Sequence, residues 1–348
     1  MRRILNSNGC RLGALAAVAL SLGLAPASGQ APKRPWLDPT LLAAAQKEGN
    51  LVVYSSTNER EGLALFKLFT AATGINVQYV RGADNVLTSR MMIEFRGGQS
   101  SYDLVHMTAI NRLPPAMLAQ YEPPEAKHIS ASARDPDRRW YGVYPVYNTP
   151  AYNTKLVKPN EVPSSYEEMA QRKQWKGKIA IDGTDGEWLR GLVLHFGEQK
   201  GLQIAKDLAA NLDPILTVGH LALSRSVGSG EYAMSINNYT NLDLNVKLGG
   251  APIESFALDP VTQFFGAVAI NAKATNPNAA RLAANFMLSQ ELQQFYTTFG
   301  RPPTRADVKP NPPDSLDGIR KRKVVTVLMS AAEERQWSKT FDQIFKRR

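Results

Sequence analysis

The sequence predicts an α/β protein with two lobes, and three observations support this fold class. The chain has 348 residues, more than one compact core commonly holds. Buried strands alternate with amphipathic helices over its first third, which is typical of a parallel sheet. That alternation stops near residue 140 and resumes after residue 178, as expected where the chain leaves one lobe for another. Hydrophobic residues make up 43% and charged residues 21%, a globular balance that excludes disordered, collagen-like and coiled-coil classes.

The first element is an export signal. Arg2, Arg3 and Arg11 precede an apolar run from Leu12 to Leu24, and small residues follow it. This order is typical of a secretory signal peptide, which we place at residues 1–29 with cleavage after Gly29. The alternative is a membrane anchor, but the apolar run is shorter than the roughly 20 residues that a spanning helix needs.

Cysteine, histidine and charge content exclude several classes of site. The only cysteine, Cys10, lies before the apolar run, so we expect no lipid anchor and no cysteine in the exported chain. The four histidines are scattered and form no zinc motif. The net charge is +10, with a basic cluster at 320–323 and a basic end at 346–348. We interpret these charges as a solvated face or as an attraction for an anionic ligand. Export argues against a nucleic-acid partner.

The first lobe is predicted from the alternating elements. In order, they are a helix at 41–47, a strand at 51–54, a helix from 59 to 73, a strand at 75–80, a helix at 85–95 and a strand at 102–107. Asn58 and Glu61 have the spacing of a capping box, which predicts the start of the second helix. Gly74 predicts its end. The pattern indicates a parallel sheet with helices packed against it.

The rest of the chain is less regular. Residues 140–153 are aromatic and β-prone, and Pro145 and Pro150 interrupt them, so we predict extended chain leaving the first lobe. The further predicted elements are helices at 166–172, about 187–196 and 201–211, strands at 178–181, 232–237 and 264–270, helices from 277 and at 292–296, and helices near 316–333 and 335–346.

Four polar segments follow predicted strands, and ligands commonly lie at the carboxyl ends of the strands in such sheets. The segments are 55–58, Thr108 to Asn111, 182–186 and 237–241. All four are rich in hydroxyl, amide or glycine groups. With the free N–H groups of helix N-termini they predict a cradle for a small anion. The alternative is that they serve only as helix caps and turns.

Motifs of enzymes are missing from the sequence. There is no G-x-S-x-G elbow, no P-loop and no G-x-G-x-x-G after a strand. Asp182, Asp185 and Glu187 could bind a metal or act as acid and base, but such local carboxylates are more often solvated or used as caps. We therefore predict a protein that is not an enzyme and has no cofactor.

Together these features resemble the periplasmic solute-binding proteins of ABC importers, in the cluster of iron(III)-type binding proteins. The segments that carry the resemblance are 51–56, 102–105, 152–155, 163–168 with 175–179, 230–233, and 276–280 with 286–289. The resemblance implies the two-lobed type II periplasmic binding fold with crossover hinge strands. It implies a lobe of residues 30–147 and 268–305 and a second lobe of 148–267 and 306–348. A monomer that closes on its ligand and docks on an inner-membrane permease is the implied mode of action.

One departure from the iron binders shapes the expected ligand. Those proteins place two adjacent tyrosines after the strand that corresponds to 232–237, whereas this chain has Asn238, Tyr239 and Thr240 there. Their first loop often supplies a histidine or an acid, where this chain has Ser56 and Thr57. Because most of the anionic oxygen is missing, we expect a carboxylate, phosphate or phosphonate rather than iron. An enzyme of this fold that cleaves thiamin uses a cysteine, which the exported chain lacks.

The resemblance and the polar segments together predict the contact residues. The expected ligand-binding residues are Ser56, Thr57, Thr108, Tyr147, Thr184, Asp185, Gly186, Asn238 and Tyr239. No resident metal is expected. The alternative function is ferric iron import, with Tyr239 as a metal ligand and Asp185 or Glu187 beside it.

Overall fold

A computed structural model describes residues 34–346 of the chain. The predicted signal peptide at 1–29 lies outside the described residues, as do residues 347–348. The helices are α1 Pro39–Ala45, α2 Glu59–Thr73, α3 Asp84–Arg96, α4 Tyr166–Gln171, α5 Gly186–Phe196, α6 Glu198–Leu212, α7 His220–Ser229, α8 Thr240–Leu248, α9 Pro277–Met287, α10 Gln290–Thr297, α11 Asp317–Arg320 and α12 Ala331–Phe345. The strands are β1 Leu51–Ser55, β2 Val77–Arg81, β3 Leu104–Met107, β4 Trp140–Asn153, β5 Ile179–Asp182, β6 Ile215–Thr217, β7 Met234–Tyr239, β8 Ile253–Ser255, β9 Val261–Ile270 and β10 Val324–Thr326. Between residues 34 and 346, no helix is both long and apolar enough to cross a membrane.

The strands form one ten-stranded sheet in the order β2-β1-β3-β9-β4-β7-β5-β6, with β10 beside β9 and β8 beside β4. β1 is parallel to β2 and β3, and β5 is parallel to β6 and β7. The two longest strands, β4 and β9, are antiparallel to each other and lie in the middle of the sheet. Two parallel βα units are therefore joined by a pair of long crossover strands, which confirms the predicted α/β fold class.

Two large hydrophobic cores lie on either side of the crossover strands. One is built from residues 36–146 and 264–296, and the other from residues 152–258 and 327–344. β4 takes part in both, since Val146 packs in the first core and Tyr152 in the second. The assignment of whole residue ranges to the two lobes remains a prediction.

The predicted capping box at the start of α2 is wrong. Asn58 makes no side-chain cap there, and its amide lies 3.5 Å from the Glu61 carboxylate. Glu61 instead accepts a hydrogen bond from Arg301 at 2.6 Å, and both side chains are buried. This ion pair draws the Glu61 carboxylate into the core and away from the cap. The end of α2 is as predicted, because Gly74 adopts a left-handed φ of 72° that few other residues tolerate.

Other differences come from strand pairing. The prolines do not interrupt β4. Pro145 lies opposite Phe265 of β9 within the paired strand. At Pro150, which has no N–H to donate, the pairing with β7 shifts register in a bulge between Thr149 and Ala151. The predicted helix near 316–333 is mostly wrong: α11 is helical, but β10 follows it and pairs with β9, and the next helix, α12, begins only at Ala331. The predicted loop at 237–241 is also wrong, since β7 continues to Tyr239 and α8 begins at Thr240.

Candidate functional site

The carboxyl ends of the two parallel strand groups face each other across the crossover strands. On one side are the segments after β1 and β3, and on the other are those after β5 and β7. The two sides touch where Arg112, after β3, bonds Glu187 at the start of α5 and lies 3.0 Å from Glu334 of α12. The amide of Asn111 also donates to the carbonyl of Met329. We call the space between these strand ends the cleft.

The segment after β1 presents Ser56 rather than Thr57 to the cleft. Thr57 is buried, and its hydroxyl lies 3.3 Å from Nδ1 of His106. Its N–H donates to the Ser55 hydroxyl at 3.1 Å, and its carbonyl accepts from the Tyr79 hydroxyl at 2.7 Å. Ser56 is half-buried, and its N–H donates to the carbonyl of His106 at 3.1 Å. Thr57 thus anchors the segment, whereas the Ser56 side chain stays available to a ligand.

A buried polar cluster that includes His106 and Arg301 supports the segment after β1. His106 is fully buried in β3, and its Nε2 has no hydrogen-bond partner among residues 34–346. Burial, assisted by the positive charge of Arg301, lowers the pKa of His106 to about 3. The guanidinium of Arg301 lies 4.1 Å from the ring centre of Tyr144 on β4. A neutral His106 therefore orients the hydroxyls of Ser55 and Thr57 while Arg301 ties the cluster to the crossover strand.

Thr108, after β3, is already engaged by a carboxylate. Its N–H and hydroxyl donate to Asp84, the first residue of α3, at 3.1 and 2.5 Å. The predicted role of Thr108 as a donor to an anion is therefore not favoured. Asp84 was not among the predicted site residues, although its position at the start of the helix that follows β2 is a signal that could have revealed it.

The segment after β5 is organised by Asp182. Its carboxylate accepts from the N–H and hydroxyl of Thr184 at 2.9 and 2.5 Å, and from the N–H of Gly219 at 2.7 Å. Thr184 is itself exposed. Asp182 thus holds the segments after β5 and β6 together, and Thr184 lies at their surface.

Asp185 and Gly186 have structural partners. Asp185 is buried, caps α5 through the N–H of Trp188 at 3.2 Å, and accepts from the amides of Asn148 on β4 and Asn237 on β7. Burial raises the pKa of Asp185 well above its usual range. A Cβ on Gly186 would lie 3.3 Å from Trp337 of α12, so the absence of a side chain lets that helix pack closely. The predicted contact of these two residues with a ligand is not favoured by this placement.

Asn238 and Tyr239, at the end of β7, lie in different surroundings. Asn238 is fully buried and donates to Ser224 and Asp243 at 2.9 and 2.5 Å, while its carbonyl oxygen lies 3.1 Å from Nδ1 of His220. Tyr239 is half-buried, and its ring stacks on His220 with centres 3.5 Å apart. Tyr239 is thus the residue of this segment that can reach the cleft, and Asn238 holds His220 behind it.

The electrostatics around Tyr239 are strongly negative. Burial raises the pKa of its phenol well above the usual range, and the nearby charges of Asp185, Glu187, Asp182 and Asp84 raise it further. Glu187 in turn pairs with Arg112. Burial alone would lower the pKa of Arg112, but Glu187 and Glu334 raise it overall. Within residues 34–346, no group of three or more His, Cys, Asp or Glu side chains is arranged to hold a metal ion.

Tyr147 completes the set of predicted residues. It lies on β4 next to Asn148, is half-buried, and has a pKa raised by burial. Its carbonyl accepts from the Thr240 hydroxyl at 3.1 Å. Arg112 and His220 were not among the predicted site residues, because the residues that they contact lie elsewhere in the chain.

Comparison with known proteins supports a common family. Residues 114–317 match the family model described as bacterial extracellular solute-binding protein. The protein named "Iron uptake protein A1" of Synechocystis sp. is 30% identical over 236 residues, which are 65% of this chain and 63% of that protein. The match thus spans less than two thirds of this relative's length.

Solved structures share the fold at lower identity. Iron-bound HitA from Pseudomonas aeruginosa has a TM-score of 0.72 at 20% identity, covering 85% of this chain and 99% of that one. The periplasmic binding protein AfuA from Actinobacillus pleuropneumoniae, with fructose-6-phosphate bound, also has a TM-score of 0.72 at 20% identity, covering 86% and 99%. At these identities the likeness establishes the fold alone.

Proposed function

Because the chain belongs to the bacterial extracellular solute-binding proteins, we propose that it is the periplasmic substrate-binding component of an ABC importer. In this proposal it captures a small organic anion of the carboxylate, phosphate or phosphonate type between its lobes. It then delivers the anion to a permease in the inner membrane. Residues 1–29 direct export, and the protein works as a monomer without a nucleic-acid partner.

One observation supports an anionic ligand. Helix α2 begins close behind β1 and helix α8 directly after β7, and no side-chain cap is present at Asn58 or Tyr239 among the described residues. The first N–H groups of such helices are unsatisfied donors, and the helix dipole adds a partial positive charge. Helix starts of this kind bind phosphate and carboxylate groups.

The predicted site residues form two groups. One group contacts the ligand, and the other positions the contact residues. Ser56, Tyr147 and Tyr239 are half-buried and are the contacts in this proposal. The supporting residues are Thr57, Thr108, Thr184, Asp185, Gly186 and Asn238, and the donors of Thr108 and Thr184 are already taken by Asp84 and Asp182. The carboxylates near Tyr239 would repel a bare anion but can accept hydrogen bonds from ligand hydroxyls, so a hydroxylated anion fits best. The fructose-6-phosphate bound to AfuA is a ligand of this chemistry.

Ferric iron is the second candidate, and a specific observation favours it. The negative charges of Asp182, Asp185, Glu187 and Asp84 surround the Tyr239 phenol. A trivalent cation would be stabilised by this field and would lower the pKa of the phenol that binds it. The name of the Synechocystis relative points the same way. The single tyrosine leaves most of the metal's coordination to other oxygen donors.

Native mass spectrometry of the protein purified from its own periplasm separates the two candidates. A bound mass of an organic acid or phosphate ester, with a melting temperature raised by that compound, is the expected result. A mass increase of one iron together with a visible tyrosinate charge-transfer band would instead establish the second candidate. If neither an anion panel nor ferric iron changes the melting temperature, both ligand assignments fail.

A further inference from the structure

A cavity of about 200 Å³ lies outside the cleft, between α8, β8 and the chain segment at 312–319. Asp243 of α8 lies at its buried end, with 1% of its surface exposed. Thr149 of β4 and Ser255 of β8 also line it. The cavity is smaller than the sites of drug-sized ligands, so it would fit a molecule of only a few heavy atoms.

The Asp243 carboxylate has acceptor capacity left. One oxygen accepts from Ser224 and Asn238, at 2.7 and 2.5 Å, while the other accepts from Ser255 at 3.0 Å. A carboxylate offers about four acceptor positions. The second oxygen can therefore take a further donor from a molecule in the cavity.

The charges around the cavity are predominantly negative. Asp243, Glu254 and Asp314 line it, and Lys247 is the basic residue among the lining side chains. Lys247 is already paired with Glu254 at 2.5 Å. Asp243 and Asp314 are then the carboxylates in the lining that Lys247 does not neutralise, so the cavity favours a cation over an anion.

Apolar side chains also line the cavity, namely Leu244, Ile253, Phe256 and Ile319. A small cavity that combines a buried carboxylate with apolar side chains suits a molecule that has both a charged donor and a short hydrocarbon.

We propose that this cavity is a second binding site, for a small organic ammonium compound whose charged nitrogen bonds Asp243 and whose alkyl part packs against Ile253 and Ile319. The site adjoins the cleft, because Asp243 accepts a hydrogen bond from Asn238 and Thr240 lines the cavity. The contacts proposed for the cleft ligand, Ser56, Tyr147 and Tyr239, are not among its lining residues. Burial raises the pKa of Asp243 to about 7, and the nearby Glu254 also raises it, while Ser224, Ser255 and Asn238 lower it. A bound ammonium would stabilise the ionised carboxylate, so binding should strengthen as the pH rises through 7.

The test uses n-butylammonium on the full exported chain at pH 8, measured by titration calorimetry and ligand-observed NMR. Butan-1-ol and butyrate are the neutral and anionic probes of similar size. We expect butylammonium to bind at least tenfold more tightly than butan-1-ol, and butyrate to bind more weakly than either. Equal affinity for the amine and the alcohol would overturn the proposal.

Two variants locate the site. Asp243→Asn removes the charge and should abolish the preference for the amine. Gly318→Leu adds a large side chain at a residue that lines the cavity, where a Cβ meets no atom within 4 Å, and should weaken amine binding tenfold or more. Asp137→Asn, at an exposed carboxylate whose side chain is 70% accessible, is the matched control and should bind like the wild type. Wild-type amine binding in a folded Gly318→Leu variant would refute the site even if Asp243→Asn does not fold.

Discussion

Replacing Arg112 with alanine should shift the protein toward a conformation with an open cleft. Arg112 is the residue through which the chain after β3 pairs with both Glu187 and Glu334 on the other side. Its removal leaves two carboxylates facing each other without a cation. In an open conformation these carboxylates would be hydrated again. The substitution therefore destabilises the closed conformation more than the open one.

The magnitude follows from the exposure of the three side chains. They are 15%, 14% and 16% exposed, for Arg112, Glu187 and Glu334. Breaking a fully buried pair costs about 3–5 kcal/mol, whereas an exposed pair is worth about 0–1 kcal/mol. An intermediate value of about 2 kcal/mol corresponds to a roughly 30-fold shift of the equilibrium toward the open form.

Small-angle X-ray scattering and ligand affinity measure this shift. We expect Arg112→Ala to have a larger radius of gyration without ligand and a weaker affinity for the ligand found by mass spectrometry, since binding must first restore closure. Arg138→Ala is the matched control, because Arg138 pairs with Glu122 on the exposed surface, with 61% and 54% of the two side chains accessible. If Arg112→Ala is indistinguishable from Arg138→Ala in both measurements, the inference that this ion pair favours closure is wrong.

Three further predictions concern the site, the pH dependence and the packing. Tyr239→Phe should weaken anion binding about tenfold, through loss of one hydrogen bond, without changing the urea midpoint; unchanged affinity in calorimetry would remove Tyr239 from the contacts. Because the folded protein holds the Asp243 proton more tightly than the unfolded chain does, Asp243 should contribute a loss of stability on the order of 4 kcal/mol as the pH rises from about 4 to 7. Urea unfolding at the two pH values should show a stability loss that is smaller by this contribution in Asp243→Asn; an identical loss in the variant would contradict the assignment. Gly201→Ala should cost about 1–3 kcal/mol, because its Cβ would lie 2.8 Å from the backbone of Val193, whereas Gly318→Ala has open space and should be neutral.

The elements that local pattern alone determines were predicted well. The apolar run of β1 and the glycine that ends α2 leave little choice of structure, because each depends on neighbours within a few residues. The proline at the start of α9 predicts that helix for the same reason. β10 could not be predicted, since Val324 is a strand residue only because it lies opposite Val261 of β9.

The candidate site was only partly predictable from the chain. The sequence shows which polar residues follow strands, and of these Thr184 is exposed while Ser56 and Tyr239 are half-buried near the ends of their strands. The sequence does not show which polar side chains already have all their hydrogen bonds within the protein. Asn238 lies beside Tyr239 in sequence, yet it is fully buried and bonded to three side chains.

By itself, the sequence determined the alternation of strands and helices, the export signal that we predict and the family to which the chain belongs, because these depend on composition and on the local order of residues. Only the tertiary structure decided that Arg112 meets Glu187 and Glu334, that Glu61 pairs with Arg301, and that Asp243 lies in a cavity of its own. Each of these contacts joins residues that are distant in the chain. Their energies depend on burial and on the charges that folding brings together, and neither quantity can be read from the order of residues.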